Sequence, residues 1–124
     1  MNRFVYIVQA SNGRIKIGIS NNPDERFEYL AAMSPLTISL LHFFETSHAW
    51  HFEWRLHYFF DGDRHHGEWF DLLENQVEWL CSLEDDDWDD VVTITEPYMP
   101  YPDRSIPMKE LKNRSEIAIS RAMS

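Results

Sequence analysis

The sequence predicts an α+β fold: a small three-stranded antiparallel sheet flanked by helices, in the order ββαβαα, with a C-terminal extension. The strongest observation is a hairpin signal near the start of the chain. Phe4–Val8 is rich in β-branched and aromatic residues, Arg14–Ile19 alternates polar with apolar residues, and Asn12-Gly13 lies between them. Asn-Gly between two such runs is typical of a β-hairpin, because both residues tolerate a positive φ. A chain of 124 residues with 44% hydrophobic side chains is also sufficient for one hydrophobic core.

Local signals mark the remaining elements of the first two thirds of the chain. Asn22 before Pro23 is typical of a helix N-cap followed by proline at the first helical position, and Pro35 ends this helix. Ser47 is expected to cap a second helix. The expected elements after the hairpin are a helix at 23–33, a strand at 36–44, a helix at 47–62 and a helix at 72–83.

The C-terminal third differs in composition from the rest. The run 84–90 contains six acidic residues and one tryptophan, which is typical of a solvated linker or a charged face. Residues 91–95 are expected to add a strand, and residues 107–123 have a modest helical pattern. The predicted organisation is a domain at 1–83 followed by an acidic linker and C-terminal extension at 84–124.

Composition excludes several classes of protein. Cys81 is the only cysteine, so an internal disulfide and a cysteine-rich zinc site are excluded. Its apolar neighbours are more typical of a buried thiol than of a nucleophile. No apolar run approaches the roughly 20 residues of a membrane helix, and the N-terminal residues lack the pattern of a signal peptide. We therefore expect a soluble, cytoplasmic protein with no membrane partner.

The net charge of −10 at first argues against a nucleic-acid partner, because phosphate contacts come from Lys and Arg. The charge is unevenly distributed, however. Residues 71–96 carry ten acidic side chains and no basic one, whereas residues 1–70 carry six basic and eight acidic side chains. A DNA site within the first 70 residues is therefore compatible with the composition, although it is not a strongly electrostatic one.

Several short motifs follow one another along the chain. They are Val5-Tyr6-Ile7, Lys16-Ile17-Gly18, Arg26 eight residues after Gly18, Glu53-x-x-Leu56-His57, and Gly67-Glu68-Trp69-Phe70. With these motifs in this order the chain resembles the GIY-YIG nuclease superfamily, in particular a divergent branch common in phages and mobile elements. The resemblance covers roughly residues 4–72. The first motif lacks the glycine of the superfamily, and a lysine replaces the tyrosine of the second.

The resemblance implies both an activity and a site. The implied activity is that of an endonuclease which hydrolyses DNA phosphodiester bonds with Mg²⁺ or Mn²⁺, directed at competitor or host DNA. The implied catalytic residues are Tyr6, Lys16, Arg26 and His57, and the implied metal ligand is Glu53.

These residue types suit phosphodiester hydrolysis. A lysine ammonium favours the phenolate form of a neighbouring tyrosine, but this requires Tyr6 and Lys16 on one face of the hairpin, which depends on its register. Arg26 can hold phosphate oxygens with its guanidinium fork. One carboxylate is enough for Mg²⁺, which keeps several of its waters. His57 is expected to donate a hydrogen bond to the phosphate or to Tyr6.

Other residues have two interpretations. Glu68 is expected to cap or orient its loop rather than to join the site. His48 and His51 have the spacing of a metal-binding pair, but no cysteine and no second pair accompany them, so zinc is disfavoured. Asn75 is a weak counterpart of a late asparagine that the superfamily has near its metal. Four aromatic residues of the second helix are expected in the core rather than as base-stacking platforms: Trp50, Trp54, Phe59 and Phe60.

A second functional hypothesis is a catalytically inactive interaction protein with the same fold. In this hypothesis the acidic run 84–90 mimics DNA phosphates or binds a basic protein partner. The tail at 97–124 carries five basic and three acidic side chains and is a further candidate contact for DNA or for a protein partner. The oligomeric state does not follow from the sequence, and self-association of the acidic run with the basic tail is a third hypothesis.

Overall fold

Strand-forming and helix-forming segments alternate along the chain and assemble into an antiparallel sheet with helices on both faces. The computed structural model describes residues 3–102 and 104–124, and this part of the chain contains five strands and six α-helices. The strands are β1 (Arg3–Ala10), β2 (Ile15–Ser20), β3 (Ile38–Thr46), β4 (Arg64–His66) and β5 (Trp69–Phe70). The helices are α1 (Pro23–Met33), α2 (Ala49–Phe59), α3 (Glu74–Cys81), α4 (Trp88–Thr95), α5 (Met108–Lys112) and α6 (Arg114–Met123). The predicted α+β class is confirmed. Within the described ranges, no helix combines the length and the apolar character needed to cross a membrane.

The turn between β1 and β2 closes as the sequence predicts. Gly13 has a φ of 91°, in the left-handed region that favours glycine. Its amide donates to the carbonyl oxygen of Ala10 at 2.8 Å. The side-chain oxygen of Asn12 accepts a hydrogen bond from the Arg14 amide at 3.0 Å. Both turn residues therefore contribute to fixing the register of the hairpin.

The sheet has five strands in the order β3-β1-β2-β5-β4, so the prediction of three strands was wrong. The additional hairpin comes from residues 64–70, where the sequence pattern indicated neither a helix nor a strand. β4 and β5 are only three and two residues long, too short to show an alternating pattern. β5 pairs with β2 through Ile15 opposite Phe70 and Lys16 opposite Trp69. This contact is distant in sequence, and local propensity does not reveal it.

Each face of the sheet packs against a different helix. On one face, Val5 and Ile7 lie in a cluster with Phe52 of α2. On the other face, Tyr6 lies in a second cluster that includes Phe27 of α1. Because successive strand residues point to opposite faces, the alternation along β1 separates two cores.

The starts of α1 and α2 differ in how well the sequence indicates them. The side chain of Asn22 accepts a hydrogen bond from the Glu25 amide at 3.1 Å, so the predicted N-cap of α1 is confirmed. Ser47 was expected to cap α2, but His48 occupies the N-cap position. The Thr46 hydroxyl, at the end of β3, accepts a hydrogen bond from the His48 amide at 3.0 Å. The preceding threonine therefore performs part of the role expected of the serine.

The chain after residue 83 is folded onto the same core. The acidic run forms a 3₁₀ turn at Asp85–Asp87 and the first turn of α4, where negative charge interacts favourably with the helix dipole. The strand expected at 91–95 is helical instead, because Val91 and Thr95, four residues apart, are both buried. The later residues that join the cluster of Val5 are Val91, Tyr98, Ala118 and Ile119. The domain boundary at residue 83 stays a prediction.

Candidate active site

The register of the first hairpin places Tyr6 and Lys16 on the same face of the sheet. Tyr6 pairs with Gly18, and Lys16 pairs with Val8. Paired residues of an antiparallel ladder share a face, and so do residues two apart on one strand. The two side chains are therefore diagonal neighbours on the face that α1 covers.

Gly18 makes room for the ring of Tyr6. A Cβ atom at position 18 would lie 2.7 Å from Cε2 of Tyr6 and still closer to Cζ and to the hydroxyl oxygen. Cβ contacts shorter than 3.0 Å are essentially never observed in proteins. Tyr6 is only 2% exposed, so its ring has little freedom to move away. The glycine of Lys-Ile-Gly is thus explained by the tyrosine opposite it.

Arg26 extends from α1 towards the phenol of Tyr6. A side-chain hydrogen bond with Tyr6 is the main cause that raises the pKa of Arg26 above its usual value. The guanidinium also lies over the ring of Tyr29, 5.4 Å from its centroid. Arg26 borders an open cleft of about 490 Å³ that Arg3 and Asn22 also line. Two guanidinium groups therefore face a space large enough for a phosphate group.

Beyond Lys16, the outer edge of β2 is covered by side chains of α2 instead of by a strand. β5 pairs only with Ile15 and Lys16. His57 Nε2 lies 2.7 Å from the carbonyl oxygen of Ile17, and because a carbonyl only accepts, this nitrogen carries the proton. The backbone of Ile19 forms a hydrogen bond with the carboxylate of Glu53. One expectation was that His57 donates a hydrogen bond to Tyr6, but this proton is donated to the backbone carbonyl instead. The other ring nitrogen, Nδ1, retains a lone pair.

Glu68 lies in the turn between β4 and β5 and forms an ion pair with Lys16 through Oε2. The ammonium of Lys16 is largely buried and also lies 5.8 Å from the centroid of the Trp69 ring. Lys16 was expected to act on Tyr6, but the charge of its ammonium is balanced by Glu68. Arg26 is therefore the cation that interacts directly with the hydroxyl of Tyr6.

Glu53, His57 and Glu68 form a cluster that can hold a metal ion. Each offers one ligand atom, and these atoms lie within 4.8 Å of one another. Burial, and then the negative charge of Glu68, raise the pKa of Glu53. Burial lowers the pKa of His57, so its imidazole is neutral at pH 7. Two carboxylates and a neutral imidazole are suitable ligands for a divalent cation, and the bound cation would stabilise the two negative charges.

The five residues predicted from the sequence lie around β2: Tyr6, Lys16, Arg26, Glu53 and His57. Glu68 connects them, since its charge acts on Arg26, Glu53 and His57 and its oxygen contacts Lys16. From the sequence, Glu68 was expected to cap or orient its loop. The contact between residues 16 and 68 depends on the pairing of β2 with β5, and no sequence signal indicates that pairing.

The residues with alternative interpretations lie elsewhere. His48 stacks on Trp88, with ring centroids 5.2 Å apart, and His51 contacts the same ring edge-on. Across the described ranges, neither histidine belongs to a group of three metal-ligating side chains. Asn75, on α3, lies within hydrogen-bond distance of Ser120, with Nδ2 3.4 Å from Oγ.

A family model described as the T5orf172 domain matches residues 3–92. The matched segment contains the whole sheet and all six residues of the candidate site, and it covers most of the chain. The fold and the site therefore belong to a phage-associated α+β domain related to nuclease-like domains. The chain belongs to the T5orf172 domain family. No curated protein and no solved structure matches it.

Proposed function

We propose that this protein is a metal-dependent endonuclease that hydrolyses phosphodiester bonds of DNA, within the GIY-YIG group of nucleases. The observation that carries the proposal is the convergence of Tyr6, Arg26 and the Glu53–His57–Glu68 cluster on the edge of β2. Its membership of a phage-associated family linked to nuclease-like domains supports the same activity and agrees with a role against competitor or host DNA.

Arg26 and Arg3 are suited to bind the phosphate. Both line the same cleft, and the side chain of Arg26 is exposed to solvent there. A guanidinium presents several N–H donors in a fork that matches two phosphate oxygens. The side chain of Arg26 also has a hydrogen bond with Tyr6. Arg26 therefore orients the phosphate and stabilises the negative charge that develops in the transition state.

Tyr6 is suited to orient the attacking water. Its hydroxyl interacts with Arg26, and the hydroxyl oxygen can accept a hydrogen bond from that water. Gly18 and the surrounding core hold the ring in one position. In this scheme Lys16 is a positioning residue, because its ion pair orients Glu68.

Glu53 and Glu68 would hold Mg²⁺ or Mn²⁺. The fit is supported by the chemistry of the cluster, since two nearby carboxylates repel each other and this repulsion contributes to the raised pKa of Glu53. Carboxylate oxygens are the ligands that these ions prefer. When bound, the ion supplies positive charge to the phosphate oxygens and to the departing oxygen. The neutral His57 can accept a hydrogen bond from water through Nδ1.

The test is nicking of supercoiled plasmid with and without Mg²⁺. We expect the wild type to nick the plasmid only with Mg²⁺, and Arg26→Ala and Glu53→Ala each to lower the rate about 100-fold or more. Arg14→Ala is the control, since Arg14 pairs with Asp71 and lies outside the site. If the wild type leaves supercoiled, linear and single-stranded DNA intact, or if both site variants nick at the wild-type rate, the proposal fails.

A second candidate function is binding of a basic partner by a catalytically inactive protein. Asp86, Asp89 and Asp90 are exposed near the start of α4, which favours such a contact. The basic tail is a weaker candidate surface, because Arg114 donates to the Tyr58 carbonyl oxygen at 2.6 Å and Arg121 pairs with Glu110. Wild type and site variants that are equally inert on every form of DNA would favour this second function.

A further inference from the structure

One side of α2 carries an exposed row of aromatic side chains. Trp50, Trp54 and Tyr58 follow one another at four-residue spacing and are 61%, 47% and 36% exposed. On the opposite side of the helix, residues such as Phe52 and Leu56 are fully buried. The expectation that Trp50 and Trp54 belong to the core was therefore wrong. Two large indole rings remain available to a ligand.

The aromatic row borders the candidate active site. Trp50, Trp54 and Tyr58 line a cleft of about 350 Å³ whose wall also includes Glu53 and His57. A strand whose bases contact the row would therefore pass directly beside the proposed metal ligands. Because the row and the proposed metal ligands line one cleft, a substrate bound at the site would also contact the row.

The spacing of the rings suits bases that are not stacked on one another. The ring centroids of Trp54 and Tyr58 are 6.1 Å apart, and their planes are tilted by 31°. The helical rise gives a similar spacing of about 6 Å between successive members of the row. Stacked bases of a duplex strand are only about 3.4 Å apart. An unpaired strand, whose bases can separate, fits the row better than a duplex does.

Arg114, on α6, holds Tyr58 in place. The guanidinium of Arg114 lies 5.6 Å from the centroid of its ring and donates hydrogen bonds to the carbonyl oxygens of Tyr58 and Leu111. An aromatic ring that is fixed before binding loses little conformational freedom when a base stacks on it.

The charge of the chain favours the same occupant. With a net charge of −10, the protein gains little from attraction to many phosphates at once. Stacking on aromatic rings does not require positive charge, and each stacked base strengthens binding substantially. Bases are therefore the part of a nucleic acid from which this surface can gain affinity.

We propose that Trp50, Trp54 and Tyr58 form a stacking platform for unpaired bases of DNA. The inference rests on the nuclease function proposed above and specifies its substrate: DNA with an unpaired segment beside the scissile phosphate, such as a flap, a gap or a single strand. A continuous duplex is the poorer substrate.

The binding test compares oligothymidylate with an abasic strand of the same length and charge, by fluorescence anisotropy in EDTA. We expect the wild type to bind oligothymidylate about tenfold more tightly or better. Trp54→Ala and Trp50→Ala should each remove most of this difference and leave binding of the abasic strand unchanged. Tyr101→Ala is the matched control, because Tyr101 is 98% exposed and lies outside the cleft. Equal affinity of the wild type for the two strands would overturn the proposal.

A cleavage test separates this proposal from the nuclease function itself. With Mg²⁺, we expect a flapped oligonucleotide to be cut faster than its continuous duplex, and Trp54→Ala to abolish the difference. If both DNAs are cut equally by wild type and variant, the platform is refuted while the nuclease stands. If no DNA is cut but oligothymidylate binding depends on Trp54, the nuclease fails and the platform stands. If sedimentation shows a wild-type dimer that Trp50→Ala and Trp54→Ala dissociate, a second copy covers the row and the platform is overturned.

Discussion

Substitution of Gly18 by alanine tests whether the ring of Tyr6 lies where the hairpin register puts it. The added Cβ would lie 2.7 Å from Cε2 of Tyr6, so this atom must retreat by about 0.7 Å to reach an ordinary contact distance of 3.4 Å. The hydroxyl oxygen and Cζ are closer and must move farther. Because Tyr6 is packed among buried residues, the ring cannot retreat without distorting its neighbours.

The expected loss of stability combines two opposing effects. Overpacking of a core costs about 1–3 kcal/mol, whereas removal of a glycine from a strand gains roughly 0.5–1 kcal/mol. The net destabilisation of Gly18→Ala should be about 1–2 kcal/mol, which corresponds to a Tm lower by roughly 5 °C. A displacement of the hydroxyl by about 1 Å should lower the nicking rate up to 100-fold.

Circular dichroism melting and plasmid nicking measure the two effects. Gly13→Ala is the matched control: Gly13 has a φ of 91°, and no atom lies within 4 Å of a Cβ at that position. This variant should lose about 1–2 kcal/mol through backbone strain and keep its specific activity. In a Tyr6→Leu background, Gly18→Ala should cost much less stability, because the ring is gone. A Gly18→Ala variant that melts and cleaves like the wild type would refute the predicted contact.

Three further predictions follow from the electrostatics and from the core. Glu53→Gln should raise the Tm in EDTA at pH 7 by roughly 2 °C, because the raised pKa of Glu53 means that its ionised form is disfavoured in the folded protein. The same variant should abolish cleavage. A lower Tm would contradict the expected stabilisation. In EDTA, the pKa of the Glu53 carboxyl should lie above its ordinary value, and Glu68→Gln should lower it; an unchanged pKa, measured by NMR titration, would contradict the contribution of Glu68. Truncation after Leu83 should abolish cooperative melting, because it removes Val91 and Ile119 from the core and lowers the stability by about 3 kcal/mol or more. A truncated chain with the wild-type Tm would show instead that residues 1–83 fold alone.

The sequence predicts well the parts of the molecule that depend on neighbouring residues. The turn at Asn12-Gly13 and the N-cap Asn22 need only local backbone geometry and one side-chain hydrogen bond each. Both are therefore visible in the order of the residues. The same applies to Glu53 and His57, whose four-residue spacing on a helix places them on one face.

Features that depend on distant contacts are not visible in the sequence. β5 forms only because Trp69 and Phe70 meet the edge of β2, and the ion pair of Glu68 with Lys16 follows from this pairing. The helix α4 is another example. By local propensity its β-branched residues favour a strand, but Val91 is buried when the segment is helical, and this burial depends on contacts with distant residues. Aromatic residues on both sides of α2 also conceal which side faces the core. This is why the exposure of Trp54 was not predicted.

The most direct test of the site is the position of Mn²⁺, located by its anomalous scattering in crystals that also contain an oligonucleotide. We expect one ion between the carboxylates of Glu53 and Glu68, with a phosphate of the oligonucleotide between that ion and the guanidinium of Arg26. An ion bound instead at the acidic run 84–90, with the oligonucleotide away from Arg26, would contradict the proposed site.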